Sequence, residues 1–151
     1  MTNQKQIKTA YAALHGSSEH QNITGKIVFK QLARGVLVTA EVSGLPTVKD
    51  GMGILAFHIH EGSECSGNAQ DEFANAKTHY NPKNNPHPYH AGDLPPLFSN
   101  NGYAYMTVFT NRFTVNEIIG KTVIIHSGID DFTTQPSGNS GKKIACGQIV
   151  W

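Results

Sequence analysis

The run Gly53-Ile54-Leu55-Ala56-Phe57-His58-Ile59-His60 constrains this chain more than any other stretch. Ile54, Ala56, His58 and His60 recur at a spacing of two, with Leu55, Phe57 and Ile59 between them. That period belongs to an extended strand with two distinct faces; a helix would scatter both sets around its axis. Similar short runs recur at Ala10–Leu14, Ile23–Phe29, Val36–Val42, Tyr103–Phe109, Lys121–His126 and Cys146–Val150. Glycine, proline, asparagine and serine punctuate them, drawing on 15 glycines and 7 prolines in 151 residues. Repeated short strands with such turn signals predict an all-β antiparallel sandwich or barrel, in one domain. A polar tail over residues 1–9 would precede the folded domain over residues 10–151.

One helical turn is expected as well. Thr114-Val115-Asn116-Glu117 reads as a capping box with Gly120 as the stop, and Val115, Ile118 and Ile119 would pin the turn to the barrel. Residues 61–100 and 127–142 break the strand rhythm. Loops this long are uncommon in a small domain unless they carry a function. Within the first, Pro95-Pro96-Leu97-Phe98 reads either as exposed or as a cover for one end of the barrel, and the cover is the expectation.

Composition removes several function classes. A net charge of +1 without a basic run gives no nucleic-acid surface. No apolar stretch approaches the roughly 20 residues of a membrane span. Met1-Thr2-Asn3-Gln4-Lys5-Gln6 leads into no apolar segment of the kind a secretory signal has. Cys65 and Cys146 leave two readings open, a pair of free thiols or one disulfide closing a long loop.

Chemistry concentrates in the histidines. Of eight, His58, His60, His79, His87, His90 and His126 lie between residues 58 and 126, whereas His15 and His20 read as surface turn residues. Neutral imidazole suits copper and zinc. His58 and His60 share one strand face and can reach one ion. His79, His87, His90 and Asp93 offer three imidazoles and a carboxylate, the donor set of a closed tetrahedral zinc shell. His126 ends the strand Thr122–Ile125, as His58 and His60 end theirs.

Five segments together resemble the copper/zinc superoxide dismutase family in its bacterial branch: Phe57–Glu61, His79–Pro82, His90–Leu94, Ile125-His126 and Gly138–Gly147. The resemblance implies an eight-stranded Greek-key antiparallel β-barrel with two long functional loops, and the reaction of superoxide to dioxygen and hydrogen peroxide by Cu(II)/Cu(I) cycling beside zinc. It implies copper ligands His58, His60, His79 and His126, and zinc ligands His79, His87, His90 and Asp93. His79 would bridge both ions and take up a proton in the cycle. Asp130 would be hydrogen-bonded to ligands of both metals, and Cys65 and Cys146 would form a disulfide. A disulfide implies a place outside the cytoplasm, at the cell surface or in the periplasm. With no export signal visible, the cytoplasm stays open, as does a homodimer.

Two positions depart from the family pattern. Lys143 stands where an arginine usually guides the anion. Lysine keeps the charge and loses the planar fork, which predicts lower activity. His87 and His90 are closer together than their counterparts, with only Pro88 and Tyr89 between them, which predicts a distorted or weaker zinc shell. A copper- and zinc-binding protein of the same fold without turnover is the alternative reading.

Overall fold

The computed structural model describes residues 6–151, so residues 1–5 of the expected tail lie outside the described residues. Eight strands follow in order: β1 (Thr9–Gly16), β2 (Thr24–Leu32), β3 (Gly35–Ser43), β4 (Met52–His60), β5 (Asp93–Asn100), β6 (Ala104–Thr110), β7 (Thr122–His126) and β8 (Lys143–Val150). A single helical turn, α1 (Val115–Ile118), precedes β7. Its capping box forms as expected, with Glu117 accepting from the Thr114 backbone and hydroxyl at 2.6 and 2.7 Å. Val115 and Ile118 are buried against the barrel.

Neighbouring strands run in the order β5-β4-β7-β8-β1-β2-β3-β6. Every pairing is antiparallel. β3 is flanked by β6 rather than β4, and β4 lies beside β7, so two connections cross the barrel in the Greek-key manner. β5 and β6 end the sheet and meet at the Asn100–Tyr103 bridge, which leaves the barrel nearly closed.

Alternation decides what fills the interior. Ala10, Ala12 and Leu14 of β1, Ile27 and Phe29 of β2, and Val36, Val38, Ala40 and Val42 of β3 point inward, with Leu55, Phe57 and Ile59 of β4. β4, like β7, is buried on its second face as well: Ala56, His58 and His60 lie on it. Two loops roof that face, over residues 61–92 and 127–142. Phe73 and Ala76 of the first loop pack with Ile124 and Cys146 in a small apolar cluster separate from the interior.

The structure corrects the reading of residues 93–100, which form strand β5 rather than a loop. Pro95 and Pro96 conceal it, because proline cannot donate to a ladder. The chain resolves this in two ways. β5 is an end strand, and the register slips opposite Ala56, between the Leu55–Leu97 and Phe57–Leu94 pairs. Both prolines therefore sit in a bulge. The Ala56 N–H turns instead to the Gly128 carbonyl at 2.9 Å, tying β4 to the second loop. Leu97 enters the interior, whereas Phe98 stays exposed instead of covering the barrel end. His15, expected in a turn, lies on β1, with its ring edge-on to Phe73.

Candidate metal centre

β4 ends with His58 and His60 on its outer face, and β7 brings His126 beside them. The first loop returns His79 through a bridge to His60 and then supplies His87, His90 and Asp93. The structure thus gathers all six histidines of the 58–126 cluster. They are 0–6% exposed, which is unusual for a polar residue unless it has partners.

The second nitrogen of nearly every ring is committed. His58 Nε2 donates to Asp130 Oδ2 at 2.8 Å. His60 Nδ1 donates to the Lys77 carbonyl at 2.8 Å, and His126 Nδ1 to the Gly141 carbonyl at 3.1 Å. His87 Nε2 donates to Asp130 Oδ1 at 2.7 Å. Such partners fix each tautomer and aim the remaining nitrogen.

The remaining nitrogens converge. Donor atoms of His58, His60, His79 and His126 lie within 4.8 Å of one another, and so do those of His79, His87, His90 and Asp93. His79 belongs to both groups, one nitrogen to each. Its Nδ1 lies 2.8 Å from Asp93 Oδ1 and 3.2 Å from His90 Nδ1. Its Nε2 is buried without a partner, as is His58 Nδ1. His60 Nε2 and His126 Nε2 face each other at 3.3 Å, each carrying a lone pair because its other nitrogen donates. Unpaired buried nitrogens and opposed lone pairs are unfavourable alone and become favourable around a cation. The donor set therefore fits a pair of nitrogen-seeking metal ions that share one imidazole.

Burial sets the proton affinities. Desolvation lowers His58 to about 4, although its bond to Asp130 opposes this. It lowers His126 to about 3, helped by the neighbouring His58, and holds His60 well below the usual imidazole value. Asp130 lies below the usual carboxylate range because donation from His58 and His87 outweighs its own desolvation. In the unfolded chain these histidines titrate near 6.5. Between about pH 6.5 and 4 the unfolded chain therefore binds more protons, so stability falls as pH falls. The metal-free protein is expected to lose on the order of a few kcal/mol between pH 7.5 and pH 4.5. Urea unfolding at the two pH values checks this, and equal midpoints would contradict it.

Several contributors were not legible in the sequence. Gln135 grips the His87 backbone at two points, accepting its N–H at 2.8 Å and donating to its carbonyl at 2.7 Å. Gly138 (φ +72°) passes so close to Asp130 that an added Cβ would sit 2.0 Å from Oδ1. Its place between Ser137 and Asn139 in a glycine-rich segment was the available signal. Lys143, the expected anion guide, lies in the wall of a cavity of about 780 Å³ that reaches His60, His79 and His126. Its Nζ donates to Asp71 Oδ2 at 2.6 Å and to the Phe73 carbonyl at 3.3 Å. Lys142, at the same cavity, stands 3.8 Å from Glu19. Cys65 and Cys146 are joined in a disulfide, with their Cα atoms 5.6 Å apart.

Fold and site together define a Greek-key β-barrel protein with a buried, histidine-built metal centre outside the barrel wall. The sequence profile of the copper/zinc superoxide dismutases matches residues 23–149, and the chain belongs to that family. It is 35% identical to the Cu-Zn superoxide dismutase 2 of Aquifex aeolicus (strain VF5), over 84% of this chain and 79% of that protein. It is also 35% identical to the Cu-Zn superoxide dismutase of Legionella pneumophila, over 83% of this chain and 76% of the relative. The extracellular Cu-Zn superoxide dismutase of Mus musculus is 29% identical over 85% of this chain and 53% of its own length.

Proposed function

We propose that this protein dismutates superoxide, with copper held by His58, His60, His79 and His126 and zinc held by His79, His87, His90 and Asp93. One observation carries the reading: two four-donor groups share a single histidine whose nitrogens point in opposite senses. When bound, copper supplies the one-electron couple that oxidises one superoxide to dioxygen and reduces a second, which with two protons leaves as hydrogen peroxide.

The chain's own residues do the rest. Asp130 holds His58 and His87 in fixed orientation, one from each donor group. The Lys77 and Gly141 carbonyls hold His60 and His126. His79 keeps Nδ1 toward Asp93 and His90, so Nε2 is the nitrogen that can hold and release a proton on the copper side. Lys143 attracts the anion through the cavity.

The ion pair with Asp71 favours a second reading, a metal-binding protein of the same fold without useful turnover. Asp71 offsets the charge that should draw superoxide inward. Loading with both metals, counting ions per chain and timing superoxide decay separates the two. One copper and one zinc with decay far faster than buffer supports the enzyme. Full metal content with decay at the buffer rate supports the second reading. Asp71→Asn frees Lys143 and is expected to speed decay at low salt by up to about tenfold. Lys143→Arg is expected to speed it as well, and no gain in either variant refutes this role for position 143.

The formed disulfide also supports an oxidising location, at the cell surface or in the periplasm. Among the described residues no helix is long and apolar enough to cross a membrane.

A further inference from the structure

Arg112 follows β6 in the chain, yet its guanidinium lies against the loop that carries His87, His90 and Asp93. Nη1 donates to the Pro88 carbonyl at 2.9 Å and to the His90 carbonyl at 3.2 Å, with the Asp93 carbonyl at 3.4 Å. The Arg112 N–H donates to Thr110 Oγ1 at 3.2 Å, which fixes the turn from which the side chain departs. Three carbonyl oxygens thus crowd around one cationic nitrogen, in a segment of six residues.

That segment is folded tightly. The Tyr89 N–H donates to the Pro86 carbonyl at 2.8 Å, and the Asp93 N–H to the His90 carbonyl at 3.2 Å. The His90 N–H donates to Asp93 Oδ2 at 2.9 Å. With only two residues between His87 and His90, the rings turn inward while carbonyls turn outward together. Bonds from a cationic donor to these carbonyls are stronger than bonds between neutral groups. An arginine also presents a rigid planar head, so little freedom is lost in holding it there.

We propose that Arg112 is a positioning residue for the zinc-side donors: it clamps the short His87–Asp93 turn by its carbonyls and so sets zinc affinity without touching the ion. The inference rests on the assignment of His79, His87, His90 and Asp93 to zinc.

The test uses the full chain with copper already bound. Zinc affinity is measured by chelator competition, and cobalt(II) replaces zinc as a reporter of coordination geometry. Arg112→Gln is expected to weaken zinc by about 10- to 100-fold, the usual size of an effect from a group behind the ligands. Its cobalt(II) visible bands should weaken and shift. Arg112→Lys, which keeps the charge on a shorter side chain without the planar head, should fall between Arg112→Gln and the parent. Copper affinity should be unchanged in both. If both variants bind zinc as the parent does, with the same cobalt(II) spectrum, the inference is overturned, even where their metal-free stability has dropped. His87→Ala guards the premise. Loss of zinc there with none in Arg112→Gln overturns the clamp alone; no loss in His87→Ala overturns the ligand set and the clamp with it.

Discussion

Asp130→Asn is expected to weaken copper and zinc binding together, each by about 10- to 100-fold. Asp130 is 2% exposed and gives one oxygen to His58 and the other to His87. Oδ1 accepts the Phe132 N–H as well, at 2.9 Å. Asparagine has the same shape but keeps only one oxygen. Its NH₂ would point at an imidazole N–H, donor against donor, whichever way the amide turns. One ring must then rotate or give up its proton to the wrong nitrogen, and its metal-facing nitrogen is lost. The amide would also remove the negative charge that makes both imidazoles better ligands. Competition titrations with each metal check this. Unchanged affinity for both ions would mean that Asp130 does not orient the rings.

Replacing both Cys65 and Cys146 with serine should lower stability by about 4 kcal/mol, since the bond closes a loop of 81 positions. For a chain of this length that corresponds to about 10–15 °C in Tm. Burial adds to the effect. Cys146 is wholly buried, and Phe73, Ala76 and Ile124 pack around the bond. Two hydroxyls placed there would need partners that the cluster does not offer. The bond also anchors the loop whose Lys77 carbonyl orients His60. Calorimetry of the metal-free protein, oxidised parent against the double variant, measures the loss. A drop of less than about 2 °C would show that the folded loop holds itself in place.

Much of this architecture was legible in the chain. Strands with a clean period of two were placed to within a few residues, because one face of each must fill the barrel. The capping box at Thr114 was legible because its partners are three residues apart. β5 was not, since Pro95 and Pro96 argue against a strand until its place at the sheet end and its bulge are known. The histidines stood out by their number and clustering. Of the groups behind them, Asp130 came with the family resemblance, and the others did not stand out. Arg112 and Gln135 are ordinary surface residue types, and the loop residues they hold lie 19 to 48 positions away in the chain. Gly141 and Lys77 act through backbone carbonyls, which no side-chain pattern reveals.

β4 turns one face to the apolar interior and the other to the imidazoles, so the wall between them is a single strand thick. In the donor-bearing loop Tyr80 packs against the interior cluster, whereas Pro88 and Tyr89, between His87 and His90, take no part in it. A connection such as His87–His90 can therefore shorten or lengthen without disturbing a single interior contact. Innovation in the donor-bearing loops and conservation of the scaffold are largely separable problems for a chain of this design, and they meet at the strand positions that carry donors: His58 and His60 on β4, Asp93 on β5 and His126 on β7.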